Sequence, residues 1–336
     1  MQSIQQFYPL LNKPFKAVIT SHQKPDGDAM GSSLGLYHFL KDLGHEVSVI
    51  SPTNWANFLN WMPGVQEVID FELNPDNAVN QIKNADTIFC LDFNILHRTK
   101  NLEPYIKKSS GIKILIDHHQ QPDTASFTYG ISDVNMSSTC EMIYNFIVDA
   151  GHSKKLNLNI ATCLYTGIMT DTGSFRFPST SASVHSIVAH LKQLGLQHSL
   201  IHENIYDNFS EGRLKFMGNA FLHRMTVFPE FNTALLAIPK TDIYKYELKT
   251  GDTEGLVNYL LSIEGIRFAA IVIDREEERK WSFRSKGNFD VNIFARTHFE
   301  GGGHANAAGG RSSKSVEETA NDFKTIIKKY TSQLTQ

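Results

Sequence analysis

The run Ile114-Leu115-Ile116 stops on Asp117-His118-His119, and this junction constrains the fold of the 336-residue chain more than any other stretch. A short apolar run rich in β-branched residues, with no polar alternation, reads as a strand buried on both faces. Such strands belong to parallel sheets covered by helices. In open α/β sheets the chemistry gathers at the carboxyl ends of the strands, which is where this run places one carboxylate and two imidazoles. Neighbouring residues of a strand point to opposite faces, so both imidazoles serve one site only if the chain turns at once. Gln120-Gln121-Pro122 supplies that turn.

The same arrangement recurs along the chain. Lys16 to Thr20 reads as a strand leading into Ser21-His22-Gln23-Lys24-Pro25-Asp26-Gly27-Asp28. Helical spacing follows through Met30, Leu34, Tyr37, Phe39 and Leu40 and stops at Gly44, and Val47 to Ile50 is the next strand, completing a βαβ unit. Thr87 to Leu91 ends at Asp92, Ser137 to Ala150 reads as an amphipathic helix, and the apolar run Ile160 to Met169 reaches Asp171-Thr172-Gly173. Four acidic or imidazole clusters at the ends of apolar segments imply a sheet with a site along its carboxyl edge, with Asp171 expected at a strand end.

After Phe177-Pro178, helical segments are expected over Ala182 to Leu194 and Ser199 to Val227, joined at His198-Ser199. A second domain then opens with a strand at Thr233 to Ile238 and a helix around Leu256 to Ile263. Strands are expected at Phe268 to Ile273, Lys280 to Arg284 and Asp290 to Ile293, and a last helix at Val316 to Tyr330. The fold class is α/β. A mostly parallel sheet of about five strands flanked by helices occupies residues 1–196, a helical linker 197–227, and a smaller mixed-sheet α/β domain 228–336.

Composition narrows the function. A formal net charge of −3 and the lack of a basic stripe exclude a binder of long or duplex nucleic acid. No apolar run reaches the length of a membrane span. Cys90, Cys140 and Cys163 show no C-x-x-C spacing, which suits reduced thiols in a cytoplasmic protein, and the N-terminus lacks the basic start and apolar core of a signal peptide. His22, Asp26 and Asp28 are spaced to converge from one pliable loop, and Asp92, His118 and Asp171 complete a set of carboxylates and imidazoles without thiolate. That set suits Mn²⁺, and zinc accepts the same ligand types.

In order along the chain, His22-x-x-Pro25-Asp26-Gly27-Asp28-x-x-Gly31-Ser32, the Asp92 strand end, Asp117-His118-His119 and Asp171-Thr172-Gly173 resemble the four motifs of the DHH phosphoesterase superfamily. Ser282-Phe283-Arg284-Ser285 and Gly302-Gly303-His304-x-x-x-Ala308-Gly309 resemble the associated DHHA1 substrate-binding domain. Length and motif spacing are most similar to the nanoRNase subfamily of bifunctional oligoribonucleases and 3′-phosphoadenosine 5′-phosphate phosphatases. The resemblance implies two Mn²⁺ ions, with Mg²⁺, Co²⁺ or Zn²⁺ as substitutes. One ion would be held by His22, Asp26, Asp92 and Asp171, the other by Asp28, Asp92, His118 and Asp171. It further implies that His119 faces the scissile phosphate, that Asp117 orients the histidine pair, and that Arg98 faces the cleft. Arg284, Ser285, Gly302, Gly303 and His304 would grip the substrate. The implied partners are short RNA oligonucleotides or small nucleotides, acted on by a monomer or homodimer. Related activities are hydrolysis of pApA or cyclic-di-AMP and of polyphosphate. One departure is Glu300, where the subfamily carries the first of four glycines.

Overall fold

The computed structural model describes residues 1–275 and 278–335. The chain forms two compact units, Met1–Asn208 and Phe209–Gln336.

The first unit is built on β1 (Gln2–Ser3), β2 (Lys16–Thr20), β3 (Glu46–Ser51), β4 (Val68–Asp70), β5 (Thr87–Leu91), β6 (Ile112–Asp117) and β7 (Tyr129–Ser132). These make one seven-stranded sheet in the order β1-β7-β6-β5-β2-β3-β4, every neighbour pair parallel. The central strand β5 is buried at every residue and its neighbours β2 and β6 are buried over their carboxyl-terminal four, as expected for a sheet covered on both faces. The additional strands are β1, β4 and β7, each of two to four residues and too short to carry a periodicity.

Helices α1 (Gly27–Asp42), α2 (Pro75–Asn84), α3 (Glu103–Lys108), α4 (Thr139–Asp149), α5 (Leu158–Asp171), α6 (Ala182–Gln193) and α7 (His198–Tyr206) complete this unit. The pair α1 and α5 positions the site. Gly27, Gly31 and Gly35 recur every four residues on the α1 face that meets α5. A Cβ on Gly31 would lie 2.5 Å from the Cys163 carbonyl oxygen, and one on Gly35 2.7 Å from Leu164 Cδ2. The bare stripe lets the two backbones approach closely, which brings the N-terminal end of α1 against the C-terminal end of α5. Two expectations are corrected here. Ile160 to Met169 lies within helix α5, so Asp171 ends a helix instead of a strand. Asp26 and Asp28 lie at the start of α1 rather than in an open loop, Asp26 as its N-cap.

The helical stretch expected from Ser199 to Val227 is interrupted. It comprises α7, a break at 207–210, α8 (Glu211–His223) and then strand β8 (Met225–Phe228). The second unit pairs β8 with β9 (Thr233–Ile238), β10 (Phe268–Asp274), β11 (Arg279–Ser285), β12 (Gly302–His304) and β13 (Ala307–Ser312) in a mixed six-stranded sheet, order β12-β13-β11-β10-β9-β8. Only β9 and β10 run parallel. Trp281, Phe283, Phe268 and Phe323 fill the core on one face. Asp290 to Ile293, expected as a strand, instead opens a helix, Val291–His298, whose Asp290 N-cap accepts the Ile293 N–H at 2.9 Å. The final helix, Val316–Ile327, starts with a capping box of Ser315 and Glu318.

Candidate metal centre

β2 ends at Thr20, and the loop behind it carries His22 to the carboxyl edge of the sheet. The His22 Nδ1–H donates to the Gln23 carbonyl at 2.8 Å, which turns Nε2 toward Asp26 Oδ2 at 3.9 Å and Asp92 Oδ2 at 3.4 Å. Asp26 divides its carboxylate between two tasks. Oδ1 accepts the N–H groups of Asp28 and Ala29 at 3.0 and 3.1 Å and caps α1, leaving Oδ2 for the site.

Asp28 is held differently. Its Oδ2 and Oδ1 accept the N–H groups of Thr139 and Cys140 at 2.7 and 2.9 Å, so the first turn of α4 grips the whole carboxylate. Thr139 Oγ1 also donates to Asp92 Oδ1 at 3.1 Å. These α4 contacts were not anticipated among the site residues, although Ser138-x-x-Glu141 is the sequence mark of a helix N-terminus and hence of an anion site. Asp92 follows β5 in the left-handed region, φ 62°, which aspartate tolerates better than most residues.

β6 ends at Asp117 and the chain turns immediately, with Gln121 also left-handed. Both histidines therefore reach one site. His118 donates from Nδ1 to the Met136 carbonyl at 3.2 Å and presents Nε2 to Asp28, Asp92 and Asp171 at 3.7, 3.5 and 3.3 Å. His119 Nδ1 lies 2.7 Å from Asp117 Oδ1 and 3.6 Å from Asp92 Oδ1. Asp117, fully buried, thus orients His119, whereas the Met136 carbonyl orients His118.

Ligand groups result from His22 with Asp26 and Asp92, from Asp28 with Asp92 and His118, and from Asp92 with Asp117 and His119. Each has donor atoms within 4.8 Å of one another, and Asp92 is common to them all. Asp171 joins beside His118. Burial, then the neighbouring Asp92 charge, raises the Asp28 pKa to about 7. Burial also raises Asp171 against the pull of His118. Burial would raise Asp92 too, but hydrogen bonding to His118 and His22 holds it well below the usual carboxylate range. Four carboxylates packed together and presented with imidazole Nε2 atoms form a site that a divalent cation fits, because only added positive charge relieves their repulsion. The ligating histidines have their other nitrogen fixed by a backbone carbonyl, the usual support of a metal-binding imidazole. Cys140 and Cys163 lie close by, but burial keeps both thiols protonated, so sulfur is not part of the donor set. Arg98, partly buried, acts electrostatically on His22 and His119.

In the second unit Arg284, Ala307 and His304 occupy one row across β11, β13 and β12. Residues in one row project to the same face, so Arg284 and His304 lie side by side about 10 Å apart with a small alanine between them. Ser285 does not join them. It is buried on the opposite face, its hydroxyl donating to the Phe289 carbonyl at 2.6 Å and accepting from Asn306 at 2.9 Å. Gly303 has φ 154°, and a Cβ there would lie 2.5 Å from the Ala307 carbonyl oxygen, so the glycine run is required by the β12–β13 hairpin itself. Asn292, from the helix not anticipated here, accepts the Gly303 N–H at 2.9 Å. Glu300 faces solvent and pairs with Arg311 at 3.3 Å, so the departure from glycine places no carboxylate among these residues.

A buried cluster of aspartates and histidines at the carboxyl edge of a parallel sheet, followed by a mixed-sheet unit, defines a metal-dependent phosphoesterase. The chain belongs to the DHH family: residues 16–168 match the DHH family N-terminal domain and residues 235–334 the DHHA1 domain. It is 30% identical over 296 residues to the bifunctional oligoribonuclease and PAP phosphatase NrnA of Thermus thermophilus, covering 87% of this chain and 82% of that one. With the Bacillus subtilis protein of the same name it shares 29% identity over 295 residues, 87% and 88% of the two chains. The crystal structure of an exopolyphosphatase-related protein from Bacteroides fragilis superposes with a TM-score of 0.93 at 38% identity, covering 99% of this chain and 97% of that one. Among the described residues no helix is long and apolar enough to cross a membrane.

Proposed function

We propose that this chain is a Mn²⁺-dependent phosphoesterase that hydrolyses very short RNA to mononucleotides and 3′-phosphoadenosine 5′-phosphate to AMP. The observation that carries the reading is the buried Asp92, shared between the His22–Asp26 and Asp28–His118 ligand groups. It is supported by the names of the Thermus and Bacillus relatives. His22, Asp26, Asp92 and Asp171 would hold one cation, and Asp28, Asp92, His118 and Asp171 the other. Such a pair, when bound, supplies charge for the phosphoryl oxygens and lowers the pKa of a water.

The remaining residues bind substrate and handle the proton. Burial lowers the His119 pKa despite Asp117, so near neutral pH the ring is uncharged, with its Nδ1–H donated to Asp117 and Nε2 unprotonated. That Nε2 takes a proton as water adds to phosphorus and returns it to the oxygen of the ester bond that breaks. Arg98 and Arg284 supply positive charge, and His304 hydrogen bonding, to the phosphates, with Gly302 and Gly303 forming the hairpin that carries His304. Ser285 acts on the backbone around Arg284 rather than on substrate.

The test is a competition panel at fixed Mn²⁺ of a diribonucleotide, longer RNA, 3′-phosphoadenosine 5′-phosphate, pApA, cyclic-di-AMP and polyphosphate, with Asp92→Ala as the inactive control. Mononucleotide release from the shortest RNA, abolished in Asp92→Ala, is the expected result. Polyphosphate, included because the Bacteroides structure is that of an exopolyphosphatase-related protein, would displace this reading if it were preferred by an order of magnitude. Replacing Mn²⁺ by Mg²⁺, Co²⁺ or Zn²⁺ in the same assay is expected to lower the rate.

A further inference from the structure

Lysines far apart in sequence gather beside α3 in the first unit. Lys83 comes from the end of α2, Lys100 from the 3₁₀ segment Leu96–Leu102 and Lys108 from the end of α3. With Tyr105 they line a groove of about 880 Å³. All four side chains are exposed. The single carboxylate on the groove wall, Glu103, is already taken by Lys107 at 2.7 Å and His97 at 3.2 Å, which leaves a local excess of positive charge on a chain whose net charge is −3. Tyr105 packs against Phe71 with ring centroids 6.0 Å apart and keeps 39% of its surface exposed, enough to offer part of its ring to a ligand. Lysines interleaved with an exposed aromatic ring recognise a phosphate backbone that carries bases.

The Lys100 end of the groove is the one toward the metal centre, and its Lys83 and Lys108 end lies where β5 and β6 begin. Arg98, whose backbone carbonyl accepts the Gln23 N–H of the His22 loop at 2.9 Å, is two residues from Lys100, so their Cα atoms are at most about 7 Å apart. Lys100 has φ 47° and ψ −120°, a conformation strained for a residue with a side chain. Thr99 beside it is buried, with its hydroxyl donating to the Leu96 carbonyl at 2.7 Å, and it anchors this kink.

We propose that this groove is the track for the distal nucleotides of an oligoribonucleotide whose terminal phosphate occupies the metal centre. Lys100, Lys108 and Lys83 meet successive phosphates and Tyr105 stacks on a base. The assignment rests on the oligonucleotide reading above and makes the groove a determinant of substrate length. In Mn²⁺ kinetics, the double variant Lys100→Glu, Lys108→Glu is expected to raise KM for a pentaribonucleotide about tenfold. Hydrolysis of a diribonucleotide and of 3′-phosphoadenosine 5′-phosphate should change less than twofold, which also reports that the variant is folded. Losing two phosphate contacts lowers the slope of log affinity against log salt by about 1.4. Tyr105→Ala is expected to weaken the pentamer alone by about fivefold or more. An equal effect on all lengths, or none on the pentamer, would overturn the proposal. Fluorescence anisotropy of a labelled pentamer with chelator-treated protein tests the groove even if no RNA is hydrolysed: the wild type should bind it at least fivefold more tightly than the double variant, and equal binding sinks the idea.

Discussion

Asp28 provides the sharpest test of the metal centre, because its carboxylate is buried beside other carboxylates and ionises only at a cost. In metal-free protein its pKa is about 7, against 3.8 for an unperturbed aspartate. Between those values the folded state retains a proton that the unfolded state has released, so stability falls as pH rises, by about 1.4 kcal/mol per unit. The difference of roughly three units corresponds to about 4 kcal/mol, fully present below pH 4 and lost by pH 7. For a unit of about 200 residues this is a fall of about 8–16 °C in Tm. Other groups titrate in the same range, so the quantity to measure is the difference between wild type and Asp28→Asn after chelation. Asparagine fits poorly against two N–H donors, which costs about 1–3 kcal/mol, but equally at every pH. Thermal unfolding from pH 4 to 8 should show the variant gaining on the wild type by about 4 kcal/mol and then levelling above pH 7. Mn²⁺ must displace the same proton, so its stabilisation of the wild type should increase across the same window. A wild-type-minus-variant difference that is flat with pH, or that moves toward the wild type, would refute the placement of Asp28 beside Asp92.

Three other substitutions separate chemistry from architecture. Asp117→Asn keeps the size of the group that orients His119 but weakens its hold on the Nδ1 proton. A drop in kcat of about 10- to 100-fold with a shifted pH profile and unchanged metal content is expected, and loss of metal would show that Asp117 is a ligand. Gly167→Ala would place a Cβ against Cys140 Sγ and 2.8 Å from Asp28 Oδ1. The overpacking should cost about 1–3 kcal/mol, read as a lower Tm together with weaker metal binding, and an unchanged Tm would contradict the α1–α5 contact. His304→Ala should raise KM while metal content by elemental analysis stays the same; a fall in metal content would move His304 out of the substrate-binding role.

The sequence spoke plainly where one physical cause controls the pattern. Lys16 to Thr20, Thr87 to Leu91 and Ile112 to Ile116 are strands in the structure because buried parallel strands leave continuous apolar runs. The run Ile160 to Met169 misled for the same reason. Helix α5 is buried among α1 and α4, so it has no polar stripe, and only its length separates it from a strand. Asp290 to Ile293 is four residues long, and its Asp290 cap was the better guide than its apolar content. The candidate ligands drew notice in the sequence because Asp and His recur where apolar segments end. Their supports did not: Thr139 and Cys140 reach Asp28 across more than a hundred residues, a relation that no local pattern encodes.

The cost of the carboxylate cluster also explains why so much of the first unit converges on it. Asp28 is held by two N–H groups of α4, worth up to about 2 kcal/mol in a partly buried helix terminus and less than its desolvation takes away. Asp92 sits in a left-handed conformation that adds strain. These are offset by packing elsewhere, above all by the glycine stripe of α1 against α5, which buries Leu34, Leu164 and Ile168 completely at about 1.5–3 kcal/mol each. A divalent cation bound here would therefore have a structural as well as a chemical part, since it would neutralise carboxylates whose burial opposes folding. It follows that substitutions in the α1–α5 contact and removal of metal should not be additive in stability: each relaxes the same juxtaposition of Asp28, Asp92 and Asp171, and the second to be applied should cost less than it does alone.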